Sequence, residues 1–195
     1  FDHAFPSPSV AMSKLQAEIR KFAEEQGIPI SFEGVCHQVM SERLINPGNL
    51  ILGADSHSPT GGGVGALTIG VGSTDAAIAM ATGKAWFRVP ETIRINITGK
   101  LPHGCYSKDV ILRVAKELGA DGANYKVIEY WGDTVENFNV PARLTLTNMS
   151  AEMGAKAAIV PPDQKTREYL IENERDYDFE EIRSDDGARF EKVLH

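Results

Sequence analysis

The stretch "GADSHSPTGGGVG", residues 53–65, sets a carboxylate, a hydroxyl and an imidazole side by side as Asp55, Ser56 and His57, immediately ahead of a glycine run. A carboxylate with an imidazole is the material of general acid–base chemistry. If strand geometry persists through the motif, Asp55 and His57 are two positions apart and leave the same face. Two other segments have a similar composition: Asp2 and His3 in "FDHAF", and His37 in "EGVCHQV". Each residue alone has an ordinary reading. A single histidine in an apolar stretch, such as His37, is a satisfied core residue, and Asp55 caps the following turn. His103 and His195 read as loop and terminal residues without a role. The three histidine-centred segments together weigh the other way, because buried charge is costly unless it is paired.

The glycines of "GGGVGALTIGVGSTD" do not make a nucleotide loop. The Lys-Ser/Thr of a phosphate loop is absent, and the glycine spacing departs from the dinucleotide pattern. Gly61 to Gly63 instead suggest backbone angles or a close approach that a Cβ would block, in a turn able to offer N–H groups to a carboxylate. Asn148 and Glu152 in "TNMSAEMGA" are four apart and share a face if the segment is helical. Small neighbours let that face approach another element.

The elements that must position these groups alternate along the chain. "SVAMSKLQAEIRKFAEEQG" predicts an amphipathic helix with Ser9 as N-cap, Gly27 as stop, and Met12, Leu15, Ile19 and Phe22 on one face. "NLILGADSH" reads as a buried strand ending near Ala54, so the motif sits at a strand's C-terminal end. "STDAAIAMATGKAWF" predicts an alanine-rich helix packed closely on its neighbours and stopped by Gly83. "ETIRINITG" is an alternating strand, "SKDVILRVAKELGADG" a capped helix with Val110, Ile111, Val114 and Leu118 inward, and "KVIEYWG" a strand. "TNMSAEMGAKAAIVPPD" reads as a small-residue helix leading to a short strand. A surface helix and an acidic connector over about 175–195 follow, and "FEKVLH" starts an alternating strand-like pattern. The fold class is α/β, a layered domain with a mostly parallel sheet flanked by helices.

The 195 residues suffice for a single α/β domain with a buried core, and 42% apolar with 24% charged residues is an ordinary globular composition. A net charge of −7 without a basic face argues against a nucleic-acid partner. Two cysteines, Cys36 and Cys105, build no disulfide framework and no zinc ribbon, and a reducing, cytoplasmic compartment is expected. No apolar run is long enough for a membrane span. Opening at Phe1 and stopping inside the strand-like pattern, the chain reads as a fragment of a longer polypeptide.

Taken in order, "FDHAFPS", "EGVCHQV", "GADSHSPTGGGVGALTIGVGSTDAA", "SKDVILRVA" and "TNMSAEMGAKAAIVPPD" resemble the N-terminal part of the aconitase superfamily. That superfamily comprises aconitases, homoaconitases and the large subunits of isopropylmalate isomerases. The resemblance covers nearly the whole chain. It implies a [4Fe-4S] hydro-lyase that removes and re-adds water on a hydroxy di- or tricarboxylic acid, with one iron acting as a Lewis acid on the leaving hydroxyl. It also implies acid–histidine pairs: Asp2 with His3, which protonates the departing hydroxyl, His37 with Asp55, and His57 with Glu152. Ser56 would contact a substrate carboxylate, Thr60 would belong to the substrate-binding set, and Asn148 would steady the cluster region by hydrogen bonding.

The resemblance implies a cluster held by three cysteines of a later segment, which the two distant cysteines here cannot supply. It also implies that the catalytic serine base and the carboxylate-binding arginines lie outside this chain, in remaining aconitase-like domains or a small subunit. Alone, the chain is expected to be inactive. Within the superfamily, "PTGGG" has the glycine triplet of aconitases, whereas Thr60 and the tail "SDDGARFEKVL" agree with the isopropylmalate and homoaconitate branch, which is the reading preferred. Two readings of other classes stand beside it. One is a zinc hydrolase using His3, His37, His57 and Asp55, which lacks a compact ligand motif. The other is a non-catalytic interaction domain exposing an apolar surface where partners dock.

Overall fold

The computed structural model describes residues 4–31 and 34–195. Asp2 and His3 lie outside the described residues. The chain divides into two compact units, Phe1–Leu44 and Ile45–His195.

In the first unit, α1 (Val10–Gln26) starts where the Ser9 hydroxyl accepts the Met12 N–H at 3.2 Å and stops at Gly27, whose φ of +65° suits a residue without Cβ. Its apolar stripe departs from expectation. Leu15, Ile19 and Phe22 are exposed, while Gln16 and Ala23 are buried. Among its described residues this unit has one other helix, α2 (Cys36–Arg43), which is too small to cover a five-turn apolar stripe.

The second unit holds two sets of strands. β1 (Leu50–Gly53) and β2 (Leu67–Gly70) form a parallel pair, with Leu50 opposite Leu67 and Gly53 opposite Gly70. A 3-10 segment, Ser58–Val64, connects them, and α3 (Ser73–Thr82) follows. β1 was expected to be buried, yet Leu50 is exposed, and none of the residues of α3 is buried. The alanines of α3 favour a helix without requiring that anything cover it.

The larger sheet contains β3 (Thr92–Asn96), β4 (Val127–Trp131), β5 (Ala157–Ile159) and β6 (Lys192–Leu194), in the order β5-β4-β3-β6, with every pairing parallel. The helices of this part are α4 (Ser107–Leu118), α5 (Asp133–Asn137), α6 (Val140–Met149) and α7 (Gln164–Glu172). Helical crossovers are what parallel neighbours require. This is the α/β layering read from the sequence. Ile93 and Ile95 turn inward, as their alternation predicts, and join Ile128, Tyr130, Leu146 and Met153 in one core with Ile111 and Val114 of α4.

The glycine triplet is where the layers approach most closely. Gly61, Gly62 and Gly63 are all buried in the 3-10 segment. A Cβ on Gly62 would stand 1.6 Å from the Ala158 carbonyl oxygen, and one on Gly63 would stand 2.6 Å from the Leu144 nitrogen. Close approach, not positive φ, accounts for the triplet, and Gly65 alone of the run has a positive φ, +86°. The Gly62 carbonyl accepts the Val160 N–H at 3.0 Å and so joins this segment to the residue after β5.

A buried ion pair holds α6 in place. The Arg143 side chain is fully buried, and its two terminal nitrogens donate to the two oxygens of Asp163 at 2.8 and 2.6 Å. The same guanidinium donates to the Phe138 and Glu136 carbonyls, so from its place on α6 it ties α5 to the start of α7. Burial pushes the Asp163 carboxyl up, but the hydrogen bonds and charge of Arg143 outweigh it and hold the group below its ordinary value.

Candidate functional site

β1 ends at Gly53, and the chain turns at once. The Asp55 carboxylate accepts the backbone N–H of His57 at 2.7 Å, and the Asp55 carbonyl accepts the Ser58 hydroxyl at 2.8 Å. This is an Asx turn. Asp55 and His57 therefore do not leave a shared strand face. The ordinary reading of Asp55 as a turn cap describes its position.

The turn brings His57 to Glu152, which is 95 residues away in sequence. His57 Nε2 lies 2.9 Å from Glu152 Oε1, and the other ring nitrogen, Nδ1, lies 3.2 Å from Ser56 Oγ. With Glu152 ionised, Nε2 carries a proton toward the carboxylate, and in the neutral ring Nδ1 accepts from the Ser56 hydroxyl. Side-chain exposures of 31% for His57 and 54% for Glu152 leave the pair open to solvent. Coulombic attraction in such a setting contributes little to stability.

Glu152 does not continue the helix of Asn148. α6 ends at Met149, and Ser150–Met153 winds as a 3-10 turn closed by Gly154 at φ +80°. The tighter winding aims Glu152 differently from an i, i+4 neighbour of Asn148. The Tyr130 hydroxyl bonds Ser150 Oγ at 2.7 Å in the buried core, fastening the first residue of the turn to β4. Burial pushes the Tyr130 phenol far up, so it stays neutral.

Thr60 and Asn148 link the two halves of the site. The Thr60 hydroxyl donates to the His57 carbonyl at 2.6 Å and accepts from Asn148 Nδ2 at 2.9 Å, while Thr147 Oγ1 donates to the Thr60 carbonyl at 2.8 Å. Thr60 is only 5% exposed. Its hydroxyl ties the histidine turn to α6. The glycine triplet, being buried, offers no N–H array to a ligand.

A cleft of about 340 Å³ opens beside Asp55 and Ser56, lined also by Gly70, Asp75 and Lys156. Ser56 is exposed at its rim. Lys156 was not anticipated. Its Nζ donates to the Gly70 carbonyl at 2.7 Å and lies 5.7 Å from the centre of the Tyr125 ring. The available signal was a lone cation among the small residues of "GAKAA". Arg143 was missed as well, since nothing local marks an arginine whose partner is 20 residues on.

His37 occupies the first turn of α2 in the other unit, with Cys36 Sγ 3.6 Å from its Nδ1 and its carbonyl accepting from Ser41. Among the described residues, no group of three or more His, Cys, Asp or Glu side chains is arranged to hold a metal ion. The zinc reading has no ligand set among them. Nor does the chain fit an iron–sulfur cluster, whose three thiolates exceed the two cysteines present.

A model of the Aconitase family (aconitate hydratase) matches residues 3–194. The chain belongs to that family. It is 47% identical, over 99% of its length, to the 3-isopropylmalate dehydratase large subunit 1 of Thermotoga maritima, 47% of which is covered. It is 50% identical, over its whole length, to the corresponding large subunit 1 of Methanopyrus kandleri, again 47% covered. A probable methanogen homoaconitase large subunit of Methanothermobacter thermautotrophicus is 47% identical over 87% of the chain, with 41% covered. The chain spans about half the length of the curated relatives it matches. These aconitase-family relatives are the branch that Thr60 and the tail had favoured.

Proposed function

We propose that the chain is part of the large subunit of a hydro-lyase that isomerises a hydroxy di- or tricarboxylic acid of isopropylmalate or homoaconitate type by dehydration and rehydration. The observation that carries this reading is the contact of His57 with Glu152 at a strand's C-terminal end, beside a cleft rimmed by a serine. Dehydration breaks a C–O bond, delivers a proton to the departing oxygen and removes a proton from the neighbouring carbon. Rehydration reverses these steps. His57, oriented by Glu152, holds or moves a proton at Nε2, and Ser56, exposed at the cleft rim, turns its hydroxyl from His57 Nδ1 to a substrate carboxylate. Asn148 and Thr60 keep the histidine turn and α6 in register. Asp2 with His3, and His37 with Asp55, are assigned to the remaining acid–histidine pairs.

The [4Fe-4S] cluster general to such enzymes must be ligated from outside these residues, by the rest of the polypeptide. The relatives' designation as large subunits supports a separate small subunit as partner. Cys36 and Cys105 as thiols suit a reducing, cytoplasmic setting. Aconitase itself, acting on citrate and isocitrate, is the alternative.

The test uses the longest natural reading frame containing these residues, reconstituted anaerobically with iron and sulfide and combined with a small subunit. Isopropylmaleate, homoaconitate and cis-aconitate are each offered, and hydration is followed as loss of ultraviolet absorbance. Turnover of either of the first two is expected. Turnover of cis-aconitate alone selects the alternative, and silence with all three despite an intact cluster overturns the proposal.

A further inference from the structure

The second unit carries an apolar face that its own residues leave open. Trp86 is 85% exposed and Val89 89%, with Ile78 and Met80 of α3 exposed nearby. A groove of about 550 Å³ joins Ile78 and Trp86 to Phe87 and to Leu52 of β1, with Asp75, Lys84 and Lys156 also in its lining. Scattered exposed apolar residues need no explanation, but a contiguous groove with a tryptophan on it does.

The edge of β1 points the same way. The Asn49 and Gly53 carbonyls accept from amides on the β2 side, those of Leu67 and Val71. By alternation, Leu50 and Leu52 turn their N–H and C=O groups to the opposite edge. Among the described residues, no strand pairs with that edge. Natural edge strands are blunted by charge, proline or a bulge. β1 reads Leu-Ile-Leu-Gly and carries none of these three, its length of four residues being its one protection. A two-stranded parallel sheet is also too small to stand as a finished unit.

We propose that a stretch of the same polypeptide, outside these 195 residues, adds a β-strand to the free edge of β1 and lays apolar side chains into the groove of Ile78, Trp86 and Phe87. The occupant is taken to be the same chain because the relatives carry about twice this length in one polypeptide, of which 47% is matched here. The inference rests on that length and on the open edge, and it is independent of the reaction proposed above.

The test uses the longest natural reading frame together with its small subunit. Trp86 is replaced by the photo-crosslinking residue p-benzoylphenylalanine, and light and isotopically heavy chains are mixed before irradiation. Expected are cross-links within one chain, light to light or heavy to heavy, onto a peptide lying outside residues 1–195. Cross-links between light and heavy chains, cross-links to the small subunit, or none at all overturn the proposal. Amide hydrogen exchange on the unsubstituted protein gives an independent reading in case the replacement perturbs folding. Leu50 and Leu52 are expected to exchange at least a hundredfold more slowly than unstructured peptide, and exchange at the peptide rate overturns the strand.

Discussion

At the scale of residues, the site is a set of hydrogen bonds joining positions far apart in sequence. Thr60 is the clearest test of that wiring, because valine has nearly its shape and none of its hydrogen bonds. Thr60→Val removes the hydroxyl donor to the His57 carbonyl, which keeps the N–H of residue 60, and takes from half-buried Asn148 Nδ2 its acceptor; an unsatisfied buried group costs about 1–3 kcal/mol. The denaturant midpoint of the full-length protein is expected to fall accordingly, and an unchanged midpoint would contradict the assigned role. Arg143 supports the site from below. Arg143 is fully buried but Asp163 keeps 28% of its side-chain surface exposed, so removing the arginine leaves a carboxylate that water reaches and costs less than the ~3–5 kcal/mol of a fully buried pair; Arg143→Met is expected to lower the melting temperature. The pH dependence has a definite sign. Asp163 titrates below its ordinary value of 3.8, so its stabilisation is present above that value and is lost as pH falls through the lowered one. Melting curves taken downward from pH 3.8 are expected to show a steeper loss in the wild type than in Arg143→Met. Equal slopes would contradict the pairing. The residue types of this site were legible in the sequence, but their geometry was not. Asp55 and His57 suggested a shared strand face, yet a side-chain-to-backbone bond turns the chain first, and Arg143 is recognisable only once Asp163 stands opposite it.

At the scale of elements, pattern located every strand but β2, which lies inside the glycine-rich run, and most helices, while the eight-residue α2 went unread. Ile93 and Ile95 alternate because one face of β3 is core. Burial of whole faces was less legible. The stripe of α1 and the alanines of α3 announce helices, but what covers them depends on elements elsewhere in the polypeptide. The segment around Asn148 and Glu152 read as one helix, whereas α6 begins earlier and gives way to a 3-10 turn at Ser150. The short helix α5 went unread, since five residues are too few for a period to show. The glycine triplet shows how tightly the elements constrain one another. Gly62→Ala places a methyl against the backbone carbonyl of Ala158, and neither side can yield as a flexible side chain would. Loss of soluble protein, or a large drop in melting temperature, is the expected result. Gly27→Ala, at the C-cap of α1 with nothing near its Cβ, is expected to show only the modest strain of a positive φ. Equal behaviour of the two variants would contradict the close-approach account.

At the scale of the molecule, the family was legible because several motifs occur in the right order along nearly the whole chain, each tied to a separate structural role. The substrate was less legible, because the groups that select it belong to a protein about twice this length. The contribution proposed for these residues is an acid–base pair, His57 with Glu152, held at a turn. General acid–base groups of this kind contribute typically 10²–10⁴-fold to rate. The decisive measurement is the steady-state hydration rate of the fully assembled enzyme and its Glu152→Gln variant, with the cluster content of both verified. Glutamine keeps the shape but removes the charge that orients and supports the His57 proton, so a fall in kcat of about a hundredfold or more is predicted, with KM changed little. A variant within about threefold of the wild type would contradict the assignment of His57 and Glu152 as the working pair.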